Sequence, residues 1–149
     1  MNLFEEMLLF IGRFHPVVTH LPIGAVVLLA LIEFLPIKGF RNAFQSAKTH
    51  LLIFAIITAA ISITTGLLLE REGSYGEERL FWHKLLVILM TAPLLIALVT
   101  RTLKKSDSEK TNKIYQFSII IAIGFLISGA HQGSVMTHGR NYLTEYFPF

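Results

Sequence analysis

The sequence contains no cysteine. That excludes disulfides, thiolate metal sites, iron–sulfur ligation and the Cys-x-x-Cys-His attachment of a c-type haem. Charge is scarce too: Asp, Glu, Lys and Arg make up 15% of the 149 residues, against 53% hydrophobic. A soluble domain rarely carries so little charge, so the composition belongs to the membrane class. Period-2 alternation is missing from the apolar runs, and an open sheet cannot span lipid, which argues against strands. A basic n-region is missing at the N-terminus, where Glu5 and Glu6 stand instead. No small-residue cleavage site precedes the first apolar run, so this segment is expected to be retained rather than removed as a signal peptide. The isoelectric point near 9.3 raises the question of nucleic acid, but the basic residues form no single patch and no nucleic-acid partner is expected. No internal repeat is evident.

What is present is four apolar stretches, at about 16–35, 51–69, 81–100 and 114–133. Each is long enough, or nearly so, to cross a hydrocarbon core as a helix. Pro16 suits the first turn of a helix, where its missing N–H costs nothing, and Gly73, Ser74, Tyr75 and Gly76 form a turn-like cluster between the second and third stretches. The connections are short, and short connections make neighbours antiparallel. The expected fold is all-α: one integral-membrane domain over 1–149, an up-down four-helix bundle.

Basic residues set the orientation. The first and third loops carry Lys38, Arg41, Lys48, Arg101, Lys104, Lys105, Lys110 and Lys113; the opposite side carries Arg13, Arg71, Arg79, Lys84 and Arg140. The excess of eight over five places the loops cytoplasmic and both termini outside. The expected location is a bacterial inner membrane, with the second loop on the periplasmic face.

Five of the six histidines then fall at the outer end: His15, His20, His83, His131 and His138. His50 lies on the cytoplasmic side. His20 is roughly 7 Å deeper than His15, and the two differ by about 140° around an ideal helix. Pro22 removes a helical hydrogen bond nearby and makes ideal azimuths unreliable. Ligand-capable side chains at membrane depth tend to be functional, and imidazoles from separate helices meeting at one level are what a haem or metal site in a bundle needs. His20 and His131, at similar depth, are expected to hold one iron from opposite faces of a porphyrin. His15, His83 and His138 are more peripheral and available to a second iron.

Small residues offer room for a flat cofactor: Gly66, Gly24, and the pair Gly129 and Gly133 around His131, although Gly-x-x-x-Gly also serves plain helix packing. Arg13, Arg79, Lys84 and Arg140 ring the outer mouth, as propionate partners or as ordinary snorkelling side chains. Glu33, near the cytoplasmic end of the first helix, is expected to pair with Lys38 or Arg41. Thr58, Ser62, Thr64 and Thr65 are expected to bond carbonyls one turn back. Glu70, Glu72, Glu77 and Glu78 form an acidic loop that is either simply solvated or attractive to a basic soluble cytochrome. Tyr142, Tyr146, Phe147 and Phe149 read as an interfacial aromatic belt.

The stretch His15-Pro16-Val17-Val18-Thr19-His20-Leu21-Pro22-Ile23-Gly24 resembles the His-Pro-x-x-x-His-Phe-Pro-Ile opening of a largely uncharacterised family of four-helix membrane domains. That family is often fused to, or encoded beside, planctomycete-type cytochrome c domains. Trp82-His83-Lys84 is similar to the family's third-helix entry, and Gly129-Ala130-His131-Gln132-Gly133 through His138-Gly139 and Tyr142-Leu143 to its tail. Leu21 replaces the usual Phe, Ala130 intervenes before His131, and Gln132-Gly133-Ser134 keeps one glycine of a pair; every histidine remains. The resemblance implies b-type haem, one or two, and electron traffic with a periplasmic c-type cytochrome or another redox partner. The chain would act as the free-standing membrane module, as a homo-oligomer or within a larger respiratory complex. Two alternatives stay open: transient binding of copper, zinc or iron in transport or metal handling, and an accessory subunit whose histidines pack or carry protons. No serine or carboxylate pair is placed for hydrolysis, so an enzyme is less expected than an electron carrier.

Overall fold

The computed structural model describes residues 2–73, 75–102 and 109–141. Tyr142, Tyr146, Phe147 and Phe149, the expected aromatic belt, lie outside them. Among the described residues seven α-helices run α1 (Leu3–Gly12), α2 (His15–Val18), α3 (His20–Phe34), α4 (Phe40–Ala43), α5 (Gln45–Leu69), α6 (Glu77–Thr102) and α7 (Glu109–His138), with a 3-10 turn at Glu70–Glu72. No strand occurs among them. Four segments of the described residues are long and apolar enough to cross a membrane: Leu3–Phe34, Gln45–Glu72, Glu77–Thr102 and Glu109–His138. The protein is an all-α, multi-pass membrane bundle.

Each of these four segments is longer than the apolar stretch it contains. The expected spans follow hydropathy, whereas the backbone goes on hydrogen-bonding through polar turns beyond the hydrocarbon. At 30 residues, α7 is about 45 Å long against a core of about 30 Å. The first segment starts at Leu3 rather than 16 because Asn2 and Glu5 form a capping box: the Asn2 side chain accepts from the Glu5 N–H at 2.9 Å, and the Glu5 carboxylate accepts from the Asn2 N–H at 3.1 Å. The segment breaks at Thr19, between α2 and α3, where Pro22 supplies no N–H to the turn before it. Helix α3 stops where Leu35 turns extended (ψ 124°) ahead of Pro36. Gly139, at φ 86°, ends α7 with its N–H on the Val135 carbonyl.

Successive spans pack antiparallel, and α7 closes back on α3, so α3, α5, α6 and α7 form a ring. The packed core runs from Ala25, Ala59, Met90 and Ala122 toward the end that holds Glu33. Its fully buried members are mostly small or aliphatic: Val26, Leu29, Leu52, Ala55, Leu94 and Ala97. The outward faces carry large apolar side chains such as Phe54, Ile57, Ile96 and Phe117, which suits lipid contact. Helix α1 lies against α5, and Gly12 makes this possible: a Cβ there would stand 2.6 Å from the Leu69 nitrogen.

At the Glu33 end, Arg41 of the two expected partners is used and Lys38 is not. Glu33 pairs with the buried Lys48 of α5, with Arg41 at 3.4 Å and with the Gln116 amide at 2.7 Å. Lys48 precedes the apolar run yet lies inside the bundle, because its helix starts at Gln45. Thr58, Thr64 and Thr65 bond carbonyls one turn back, at 2.7, 2.9 and 3.0 Å.

Candidate functional site: two imidazoles across one cavity

Beyond the packed core, toward the opposite end, the bundle opens into a cavity of about 430 Å³. That falls within the range of small-molecule and cofactor sites. Its walls are chiefly apolar, with His15, His20, His83, Glu70, Tyr75 and Lys84 among the polar residues.

His15 opens α2, and its Nδ1 lies 2.9 Å from the Ser62 carbonyl oxygen on α5. A carbonyl only accepts, so Nδ1 carries the proton and donates, leaving Nε2 with its lone pair in the neutral ring. The Thr65 hydroxyl lies 3.4 Å from the same nitrogen. His83, in the second turn of α6, repeats this: its Nδ1–H donates to the Gly129 carbonyl of α7 at 2.8 Å. Both imidazoles are thus held by carbonyls of a neighbouring helix and keep Nε2 for something else. Their ring centroids are 6.4 Å apart and their planes are 87° to one another.

The other histidines behave differently. His20 lines the cavity, but its Nδ1–H bonds the Pro16 carbonyl in its own chain turn at 2.7 Å. His50, on the far side, does the same with the Ser46 carbonyl at 3.0 Å. His131 is exposed and does not line the cavity, and His138 is exposed at the end of α7. His15, His20 and His83 therefore line one cavity, and His131 and His138 lie outside the lining. The expected partnership of His20 with His131 gives way to ring contact between His15 and His83. Sequence position fixes depth along a helix but not direction around it: His15 reaches across to α5, while His20 bonds within its own turn.

Gly66 and Gly133 border the cavity directly against the two rings. Gly129 lies behind the lining, where it accepts from His83 and lets Val87 pack closely on α7. Of the basic residues expected at the mouth, Lys84 lines the cavity, paired with Glu70 at 2.7 Å. Arg13 is exposed and bridges to Glu72 at 2.7 Å; Arg79 and Arg140 lie outside the lining. Ser62 and Thr65 contribute to the site in a way sequence reasoning missed. A backbone carbonyl has no sequence signature, although the spacing Ser62-x-x-x-Gly66 echoes Gly129-x-x-x-Gly133. Among the described residues, no three His, Asp or Glu side chains gather as a metal-binding group.

The fold and cavity define a four-helix membrane protein with paired imidazoles near one end. The chain belongs to the family described as "Predicted membrane protein (DUF2231)", which matches residues 13–141 and fits the resemblance drawn from its histidine motifs. No curated protein and no solved structure matches it.

Proposed function

We propose that this protein is a membrane b-type cytochrome that holds one haem between His15 and His83. The observation that carries the proposal is the arrangement of these two rings. They come from different spans, meet at 6.4 Å and near right angles across a cavity, and each has its Nδ1–H committed to a carbonyl. A metal-ligating histidine characteristically donates its other ring N–H in this way. The separation suits one ion bonded at about 2 Å to a nitrogen of each ring. The absence of Cβ atoms at Gly66 and Gly133 lets each imidazole lie close against a helix, and the apolar walls of the cavity suit a macrocycle. Lys84, in the lining, is the residue placed for a propionate.

Bound haem supplies one-electron chemistry, and two imidazole ligands saturate its iron, which favours electron transfer over oxygen binding. The basic-residue asymmetry of the sequence supports the reading that this end faces the periplasm from a bacterial inner membrane. A soluble periplasmic c-type cytochrome is the natural redox partner, and the exposed Glu77 and Glu78 in the first turn of α6 give it an acidic landing point. Metal handling fits less well. Two imidazoles without a third gathered ligand are short of the three or four that zinc sites use.

Protein purified from haem-replete cells is expected to be red, with a Soret band and a protohaem α-band on reduction. His15→Ala and His83→Ala are each expected to lose most of the haem, while His50→Ala retains it. A colourless preparation that carries zinc or copper would overturn the proposal, as would full haem content in both cavity variants.

A further inference from the structure

The two halves of the bundle use the same device. His15 reaches a carbonyl 47 residues further on, and His83 reaches one 46 residues further on. In each case a glycine follows the acceptor by four residues: Gly66 after Ser62, Gly133 after Gly129. Four residues along a helix is one turn on the same face, so carbonyl and glycine stand one above the other beneath the same ring. A Cβ on Gly66 would come 2.9 Å from His15 Cε1 and 3.1 Å from its Nδ1. A Cβ on Gly133 would come 3.2 Å from His83 Cε1 and 3.4 Å from its Nδ1.

Small residues at this spacing ordinarily serve helix packing, and two other glycines here do serve it. Gly12 would meet the Leu68–Leu69 backbone, and Gly129 would meet Val87 and Leu86. At Gly66 the three nearest atoms, and at Gly133 both atoms within 4 Å, belong to an imidazole. These two glycines do not bring helices together; they make room for a ring.

We infer that Gly66 and Gly133 are paired positioning residues, each forming with the carbonyl one turn earlier a seat that fixes the tautomer and direction of one histidine. The chain thus carries one seat per helix hairpin, facing the same cavity from the two halves. A ligand pair preorganised from both sides needs no reordering when it takes up an ion. The inference concerns how the imidazoles are held; it rests on the haem proposal only for what they hold.

The test begins with haem-free protein in lipid nanodiscs, its histidines labelled with ¹⁵N. At neutral pH the wild type is expected to show His15 and His83 as Nδ1–H tautomers. Gly66→Ala should shift His15 alone toward the other tautomer, and Gly133→Ala should shift His83 alone. Gly124→Ala, where a Cβ meets nothing within 4 Å, should change neither. On haem titration each seat variant is expected to bind roughly 10- to 100-fold more weakly, the usual cost of losing an outer-shell partner, and the Gly124 variant as wild type. Wild-type rings found as Nε2–H tautomers overturn the inference even where a seat variant fails to fold. Folded Gly66→Ala and Gly133→Ala proteins with both tautomers intact overturn it as well. Correct tautomers in a protein that never takes up haem would leave the seats standing and remove the haem proposal.

Discussion

At the end of the bundle that holds Glu33, all four spans are tied together by charge; at the end that holds His15, they are held apart around a cavity. Glu33 of α3 and Lys48 of α5 are 3% and 1% exposed at their side chains. Arg41 of α4 and Gln116 of α7 complete the carboxylate's shell. Arg101 of α6 reaches the Gln45 carbonyl at 2.7 Å and lies 5.3 Å over the Tyr115 ring. The charged groups there are spent on one another and on backbone or ring partners. At the other end each imidazole spends one nitrogen on the protein and keeps one. The contrast separates a closure from a site: both ends bury polar chemistry, but only the histidine end gives ligand-capable atoms a space to act in.

The sharpest way to break this comparison is to open the closed end. Glu33→Ala leaves Lys48 buried, with the Tyr115 ring 5.8 Å away and no carboxylate to pair with in the observed cluster. Removal of one partner from a buried pair costs about 3–5 kcal/mol, so a large fall in the thermal midpoint is expected. Lys48→Ala should cost less, because Arg41 and Gln116 still attend the carboxylate. Replacement of both charges by neutral side chains of similar size, as Glu33→Gln with Lys48→Met, should restore much of the loss, read in the same melts. The histidine tautomers in the surviving folded protein should not change, since the packed core separates the two ends. A tautomer shift at His15 in Glu33→Ala would show that the ends are coupled.

How far each end was legible follows from what a sequence encodes. An uncharged run such as Leu51–Leu69 announces a span because lipid admits little else. Residue number counts depth at 1.5 Å per step, which is why His15 and His83 could be put together in an outer group, and their rings do meet. Azimuth was not legible: His15 and His20 are five residues apart, and of the two it is His15 that reaches across to α5. The acceptors at Ser62 and Gly129 were invisible because every residue owns a carbonyl. Lys48 was read as loop because hydropathy starts the second span at Leu51, whereas its helix begins six residues earlier, at Gln45, and carries the lysine into the bundle.

A second test acts at the open end but outside the seats. Gly12 lets α1 lie on α5 just beyond Gly66, and a Cβ there would meet backbone, which cannot swing aside as a side chain can. Gly12→Ala is expected to cost about 1–3 kcal/mol through overpacking, and to raise amide exchange across Leu3–Gly12 more than elsewhere. Equal protection of α1 in the variant and the wild type would mean that the close approach is not what docks this helix.

The smallest expected effect is the most discriminating. The Tyr115 hydroxyl is buried without a hydrogen-bond partner, while its ring lies under both Lys48 and Arg101. If the closed end is purely a lock, the ring matters and the hydroxyl does not. An unpaired buried polar group is a cost in itself, so Tyr115→Phe keeps the cation–π contacts and sheds that cost. It should leave the melting temperature unchanged or raise it slightly, by less than about 1 kcal/mol of stability. Tyr115→Leu removes the ring and should lower stability by about 1–2 kcal/mol through the lost cation contacts. A clear destabilisation by Tyr115→Phe would mean that the hydroxyl has a partner in the membrane, such as an internal water between it and the Lys48 ammonium. The closed end would then hold polar capacity of its own, and the division of labour between the two ends would have to be redrawn.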